Sequence, residues 1–380
     1  MSSRPFGLAV IATLMACSSQ PSQSQPPGAP AAPTIPDSPR PFKIAEVASF
    51  DSPWSMAFLP NGKILVTQKM GAIVLFDPKD GSKKILTGTP AVVSAGQGAM
   101  MDIVLAPDFA KTNKIYFSFA EAGEGKTNGV ALATATLDQT GGTLKDVKVI
   151  FRASPYIEAM AHWSGRIAFS PDNKYLFFTN GERAKADPAQ DPKVTLGKVL
   201  RLNLDGTPAA GNPLAAKGFH PAIWSYGHRN LTGIAFDKDG RLWETEMGPL
   251  GGDEVNLVKP GVNYGWPKAS NGSNYDRSDI PDHKAGDGYE PPKVFWNPSL
   301  APASMAYYNA SLFPTWKNSL FVTGMSGMAL TRIALNGENA TKADHWNMGI
   351  RLRSARVGPD GALWLLQDGP NGKMLRLIPG

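Results

Sequence analysis

Cysteine is almost missing from this chain. Cys17 is the only one among 380 residues, which excludes an internal disulfide framework and any cysteine-built zinc site. Lysine and arginine never run together for five residues, and no basic helix is apparent. The formal charge of +6 is therefore scattered, and nothing resembles a nucleic-acid footprint. No apolar stretch reaches the roughly 20 residues that a membrane-spanning helix requires. The chain lacks Gly-x-Gly-x-x-Gly after a strand, a P-loop, Gly-x-Ser-x-Gly and any His/Cys cluster of zinc spacing. These absences remove dinucleotide folds, P-loop NTPases, α/β-hydrolases and zinc enzymes as readings. Beyond residue 42 no segment sustains a 3.6-residue period, so a helical fold is excluded as well.

The N-terminus has a short region with Arg4, an apolar core and then Leu14-Met15-Ala16-Cys17. This pattern reads as a lipoprotein-type signal peptide over 1–17, with Cys17 as the lipidated residue. Residues 18–41 are rich in Ser, Pro, Gln and Ala and read as a disordered tether. The folded domain is expected over 42–380. The expected location is the periplasm, with membrane attachment only through the N-terminal lipid anchor.

What the chain does have is turn chemistry and apolar alternation. Gly 39, Pro 33 and 42% hydrophobic residues suit a large, turn-rich β protein. Six segments repeat one frame, an apolar run, a Pro-Asp/Asn-type turn and a second alternating run: 54–68, 101–120, 165–181, 232–246, 304–324 and 354–367. Each is followed by a further strand candidate. Repetition at this spacing predicts an all-β fold, a six-bladed β-propeller with four-stranded antiparallel blades. Seven or eight blades are the structural alternative. The strand at 42–47 is expected to close the ring by pairing into the last blade, and 268–300 reads as a loop.

Aligned on their turns, the units place Asp51, Gln97, His162, Arg229, Asn230, Arg351 and Arg353 where first strands begin. Equivalent positions in blades lie on one ring, so these residues should converge on one mouth of the channel. Three guanidiniums there suit a ligand with several carboxylates or phosphates. His162 among them is a candidate general base. The densest stretch, 228–267, adds a turn at Gly248-Pro249 and an acidic pair, Asp253-Glu254.

The segments GQGAMMDIVLAPDF, HWSGRIAF, GHRNLTGIAF, EMGPLGGDEVNLVKPGVNYGWP and RLRSARVGPDG resemble the soluble quinoprotein glucose dehydrogenase family, and more nearly its aldose sugar dehydrogenase branch. The resemblance runs through most of 42–380. It implies pyrroloquinoline quinone (PQQ), an ortho-quinone with three carboxylates, held over the channel with Ca²⁺ beside it. It implies oxidation of aldose sugars at C1 to aldonolactones, with His162 as the base and hydride transfer to the cofactor. Arg229 would stabilise charge on the quinone, and Asn230, Gln97, Arg351 and Arg353 would bind PQQ. The backbone carbonyls of Gly248 and Pro249 would ligate the calcium. Asp253, Glu254 and the Tyr264 carbonyl would form a second calcium site, or else a solvated acidic turn. An aldose and an unidentified electron acceptor are the implied partners.

Three positions depart from the family pattern. Ala161 stands where glucose-active members have Asp, which fits the branch of broader specificity. No lysine lies near Ser326, where relatives supply one to PQQ. Glu182 replaces the more usual Asp of its turn. Two other propeller readings remain open at this level: a calcium-dependent lactonase or esterase, and a non-catalytic sugar- or cell-wall-binding propeller.

Overall fold

The computed structural model describes residues 36–380. Cys17, the signal-peptide segment and residues 18–35 lie outside them. Period-two runs and turn residues fold as that pattern dictates, into six four-stranded antiparallel sheets arranged as a six-bladed β-propeller. β1 (Phe42–Phe50) is held back for ring closure. Blade 1 is β2 (Pro53–Phe58), β3 (Ile64–Gln68), β4 (Ile73–Phe76) and β5 (Lys83–Ile85). Blade 2 is β6 (Met100–Leu105), β7 (Lys114–Ala122), β8 (Asn128–Asp138) and β9 (Thr143–Arg152). Blade 3 is β10 (Ser164–Phe169), β11 (Tyr175–Asn180), β12 (Lys198–Asn203) and β13 (Ile223–Tyr226). Blade 4 comprises β14 (Leu231–Phe236), β15 (Leu242–Glu246), β17 (Asp253–Val258) and β19 (Val294–Trp296). A small ribbon of β16 (Leu250–Gly251) with β18 (Gly272–Ser273) is attached to it. Blade 5 is β20 (Pro302–Tyr308), β21 (Ser319–Gly324), β22 (Ala329–Asn336) and β23 (Asn339–Asn347). Blade 6 is β24 (Leu352–Val357), β25 (Leu363–Gln367) and β26 (Gly372–Pro379), completed by β1.

Local chemistry sets the turns between first and second strands. Asn61, Asp172, Asp237 and Asp360 each accept a backbone N–H two residues ahead, the side-chain turn that Asx residues make best. Second strands such as Tyr175–Asn180 and Ser319–Gly324 are buried almost throughout. Blades stack on both of their faces, so these strands read as nearly continuous apolar runs.

The ring closes as expected. β1 pairs antiparallel with β26 from Phe42↔Pro379 to Phe50↔Gly372, with a bulge between Glu46 and Ala48. Phe42 packs edge-on against Trp316 and Trp346, at centroid distances of 5.8 and 5.2 Å.

Two expectations need correction. Residues 268–300 are not all loop: Val294–Val255, Phe295–Glu254 and Trp296–Asp253 pairing makes β19 the outer strand of blade 4. A three-residue strand is too short for alternation to reveal. The last residues assigned to the tether are also engaged. Asp37 Oδ1 accepts the Asn347 N–H at 2.9 Å, Ser38 N–H donates to His345 O at 2.7 Å, and Trp346 Nε1–H donates to Pro39 O at 3.2 Å. Among the described residues no helix is long and apolar enough to cross a membrane.

One ionic knot ties the centre together. The first strands β2, β6, β10, β14, β20 and β24 touch in turn around the axis. Asp102 on β6 is buried and accepts from Ser55 Oγ at 2.6 Å, Arg356 Nη2 at 2.6 Å, Arg166 Nη1 at 3.3 Å and the Ile167 N–H at 3.0 Å. Arg166 reaches on to the carbonyls of Thr232 and Ala303. Six blades thus contribute to one knot in the channel.

Candidate active site

One backbone hydrogen bond recurs in every blade and defines the mouth above this knot. The residue before the first strand accepts from a residue at the end of the second. The pairs are Lys69 N–H to Ser52 O, Ala120 to Ala99, Gly181 to Trp163, Met247 to Asn230, Met325 to Ala301 and Asp368 to Arg351, at 2.9 to 3.4 Å. Two rings of side chains result, one at strand entry and one at second-strand exit. Between them lies a cavity of about 550 Å³, within the range typical of small-ligand sites.

Gln97, Asn230, Arg351 and Arg353 all line this cavity, as the turn alignment anticipated. Asp51 does not: it is exposed, and Ser52 takes the lining position. Arg351 and Arg353 converge on Asp368, with Arg351 Nε to Oδ2 at 2.9 Å and Arg353 Nη2 to Oδ1 at 2.6 Å. Burial pushes the Asp368 carboxyl up, but Arg353 and Arg351 outweigh it and hold the group below its usual range. Trp54 and Trp163 supply apolar wall. Each is backed by an arginine, Arg166 at 4.0 Å and Arg183 at 3.3 Å from the ring centroid.

His162 is buried and does not itself line the cavity, but Gln97, Trp163 and Ser164 beside it do. The His162 N–H donates to Gln97 Oε1 at 2.9 Å. Its backbone is left-handed, with φ of 50°, a costly conformation for a residue with a Cβ. The turn that holds it there needs Gly181, because a Cβ at that position would lie 2.1 Å from His162 O. His162 Nδ1 is 2.7 Å from Glu182 Oε1. The other Glu182 oxygen accepts the N–H groups of Lys185 at 2.6 Å and Ala186 at 3.2 Å. Burial pushes the Glu182 carboxyl up, yet His162 and these N–H groups prevail and lower it. An ionised carboxylate only accepts, so Nδ1 carries a proton, and in the neutral ring Nε2 is then the acceptor. Sequence reading noted Glu182 only as a change of turn residue. Its role emerges from the β11 exit lying beside the β10 entry.

Arg229 lies just behind the cavity wall. Its Nη1 donates to Met247 O at 3.0 Å and Gly248 O at 2.7 Å, and its Nη2 to Tyr275 Oη at 3.0 Å. The loop after β15 therefore folds back over Arg229 and Asn230, as a common site for both ends of 228–267 requires. Gly248 and Pro249 are buried and do not line the main cavity. The Gly248 carbonyl accepts from the Arg229 guanidinium and keeps a second lone pair.

The residues expected at the second calcium site, Asp253, Glu254 and Tyr264, are all buried. Asp253 is a brace: Oδ1 accepts the Gly248 N–H at 2.9 Å, and Oδ2 accepts Ser299 Oγ and the Ala301 N–H, each at 2.7 Å. The turn is not solvated, because Glu254 is buried with Glu244 and Glu246. Burial and then the Glu246 charge push the Glu244 and Glu254 carboxyls well up. His228, Glu244 and Glu246 offer ligand atoms within 4.8 Å of one another. Glu244 Oε2 and Asn256 Oδ1 are buried without partners. Tyr264 stacks on His228 at 4.5 Å and donates its hydroxyl to Leu257 O. The acidic character that sequence assigned to Asp253-Glu254 thus belongs to Glu244, Glu246 and Glu254.

Residues 50–376 match the family model described as Glucose / Sorbosone dehydrogenase. The chain belongs to the glucose/sorbosone dehydrogenase family. This family member is 37% identical over 337 residues to aldose sugar dehydrogenase YliI of Escherichia coli K12, covering 87% of this chain and 90% of that protein. Its structure resembles the apo-form of the soluble aldose sugar dehydrogenase from Escherichia coli, with a TM-score of 0.85 and 35% identity over 89% of this chain and 100% of that one. It also resembles the PQQ-bound aldose sugar dehydrogenase of Streptomyces coelicolor, with a TM-score of 0.75 and 32% identity over 91% and 99% of the two chains.

Proposed function

We propose that this dehydrogenase oxidises aldose sugars at C1 to aldonolactones in the cavity at the channel mouth, using PQQ. The observation that carries the reading is the His162–Glu182 pair set directly behind Gln97, Trp163 and Ser164 in a cavity lined by cations. Arg351 and Arg353 suit the carboxylates of the quinone, and Trp54 and Trp163 suit its flat ring system. Bound there, PQQ supplies the two-electron acceptor that takes hydride from C1. His162 Nε2 accepts the proton of the C1 hydroxyl, and the Glu182 contact at Nδ1 orients the ring and stabilises the charge it gains. Gln97 fixes the His162 backbone and presents its amide to the cavity. Arg229 holds the loop at Met247 and Gly248 and contributes positive charge behind Asn230.

For calcium, the buried oxygens of Glu244, Glu246, Glu254 and Asn256 match the preference of that hard cation. We assign them the structural site and route no step through it. At the knot, Asp102 is occupied by two arginines and is not a free carboxylate of the kind a calcium-dependent hydrolase uses. The Cys17 anchor and periplasmic location remain part of the proposal, tested by mass spectrometry of the mature N-terminus.

The test of function is acceptor-dye reduction by the purified full chain over a panel of aldoses, with and without PQQ and Ca²⁺. Reduction should require both an aldose and PQQ. A folded protein that reduces no dye with any aldose would overturn the reading. In parallel, Ca²⁺ should raise the melting temperature of the wild type and leave that of a Glu244→Gln/Glu254→Gln variant unchanged.

A further inference from the structure

Three cations line the cavity: Arg351, Arg353 and Lys69. The two arginines share Asp368. Lys69 forms no ion pair among the described residues, and its ammonium donates to a single carbonyl, Gly96 O at 2.8 Å. An ammonium has three donors, so donors remain for a ligand. The Lys69 backbone is pinned on both sides, its N–H to Ser52 O at 3.0 Å and its carbonyl accepting the Met100 N–H at 3.2 Å. The side chain therefore springs from a fixed point between the arginines of blade 6 and Gln97 at the entrance to blade 2.

Its ring position gives the pairing a meaning. Lys69 follows the second strand of blade 1 as Met325 follows that of blade 5, and each makes the same recurring hydrogen bond, to Ser52 and Ala301 respectively. Both line the cavity. The fifth-blade turn, Met325-Ser326-Gly327, carries no cation. The first-blade turn does. We propose that Lys69 is a cofactor-binding residue, its ammonium taking a carboxylate of PQQ from blade 1. The proposal rests on the quinone reading of the cavity.

The test is equilibrium titration of the apo full chain, in the presence of Ca²⁺, with PQQ and with its trimethyl ester, followed by cofactor absorbance. Removing one charge-assisted hydrogen bond should weaken PQQ binding by roughly tenfold to a hundredfold in Lys69→Met. The uncharged ester should lose much less, and Lys69→Arg should bind PQQ nearly as the wild type does. Lys69→Gln carries the same test if Lys69→Met does not fold. Equal PQQ affinity in wild type and Lys69→Met overturns the proposal. Equal weakening for PQQ and the ester also overturns it, by making Lys69 a brace for Gly96. A folded wild type that binds no PQQ removes the quinone reading and the proposal together.

Discussion

Glu182 is buried, and its two oxygens meet the His162 ring and two backbone N–H groups. That arrangement fixes one tautomer of His162. Glu182→Gln should therefore leave PQQ affinity nearly unchanged while lowering kcat by about 10²-fold or more, the scale of a lost general base. Stopped-flow turnover with a separate binding titration checks the split. A parallel loss of affinity would mean that Glu182 shapes the cavity instead of orienting the base. The same residue shows where sequence reading stops. Gln97, Asn230, Arg351 and Arg353, which line the cavity, were legible because they sit at or just before the start of repeated first strands. Glu182, Asp368 and Lys69 were not, because they lie at or after the ends of second strands. Only the register of strand pairing reveals that second-strand exits face the same mouth.

At the scale of elements, the turns and the long strands were written in the sequence. Asx residues mark the first-to-second-strand turns of blades 1, 3, 4 and 6, and second strands such as Tyr175–Asn180 and Ser319–Gly324 are buried almost throughout. β19 and the ribbon of β16 with β18 escaped because two or three residues cannot display a period. Ring closure was visible as a lone strand ahead of the first repeat, and its cost can be measured. Phe42 is 5% exposed against Trp316 and Trp346. Phe42→Ala should destabilise the chain by about 3–5 kcal/mol, the range for losing a buried aromatic. Urea unfolding followed by tryptophan fluorescence reads this directly. A change below about 1 kcal/mol would mean that β1 is dispensable to the ring.

For the whole molecule, the knot at Asp102 is the feature that joins all blades. Sequence reading had no access to it, since Asp102, Arg166 and Arg356 are far apart in the chain and each looks like an ordinary strand residue. Asp102→Asn would leave Arg166 and Arg356 without a counter-charge, so a loss of about 3–5 kcal/mol is expected at neutral pH. The pH dependence has a definite sign. Burial pushes the Asp102 carboxyl up, but Arg356 and Arg166 hold it below its ordinary value of 3.8. Its contribution is then complete above that value and fades as pH falls through the lower folded value. The stability gap between wild type and Asp102→Asn should therefore be constant near neutrality and narrow below about pH 3.8. Chemical denaturation across that range tests both the size and the sign.

The cavity above this knot is where sugar oxidation is placed, and single-turnover absorbance of the PQQ-loaded chain mixed with an aldose addresses that placement most directly. Wild type should reduce the bound cofactor, more slowly when C1 of the sugar carries deuterium. His162→Ala should bind PQQ and reduce it slower by about 10²-fold or more. Loaded wild-type protein whose absorbance no aldose changes would contradict the assignment.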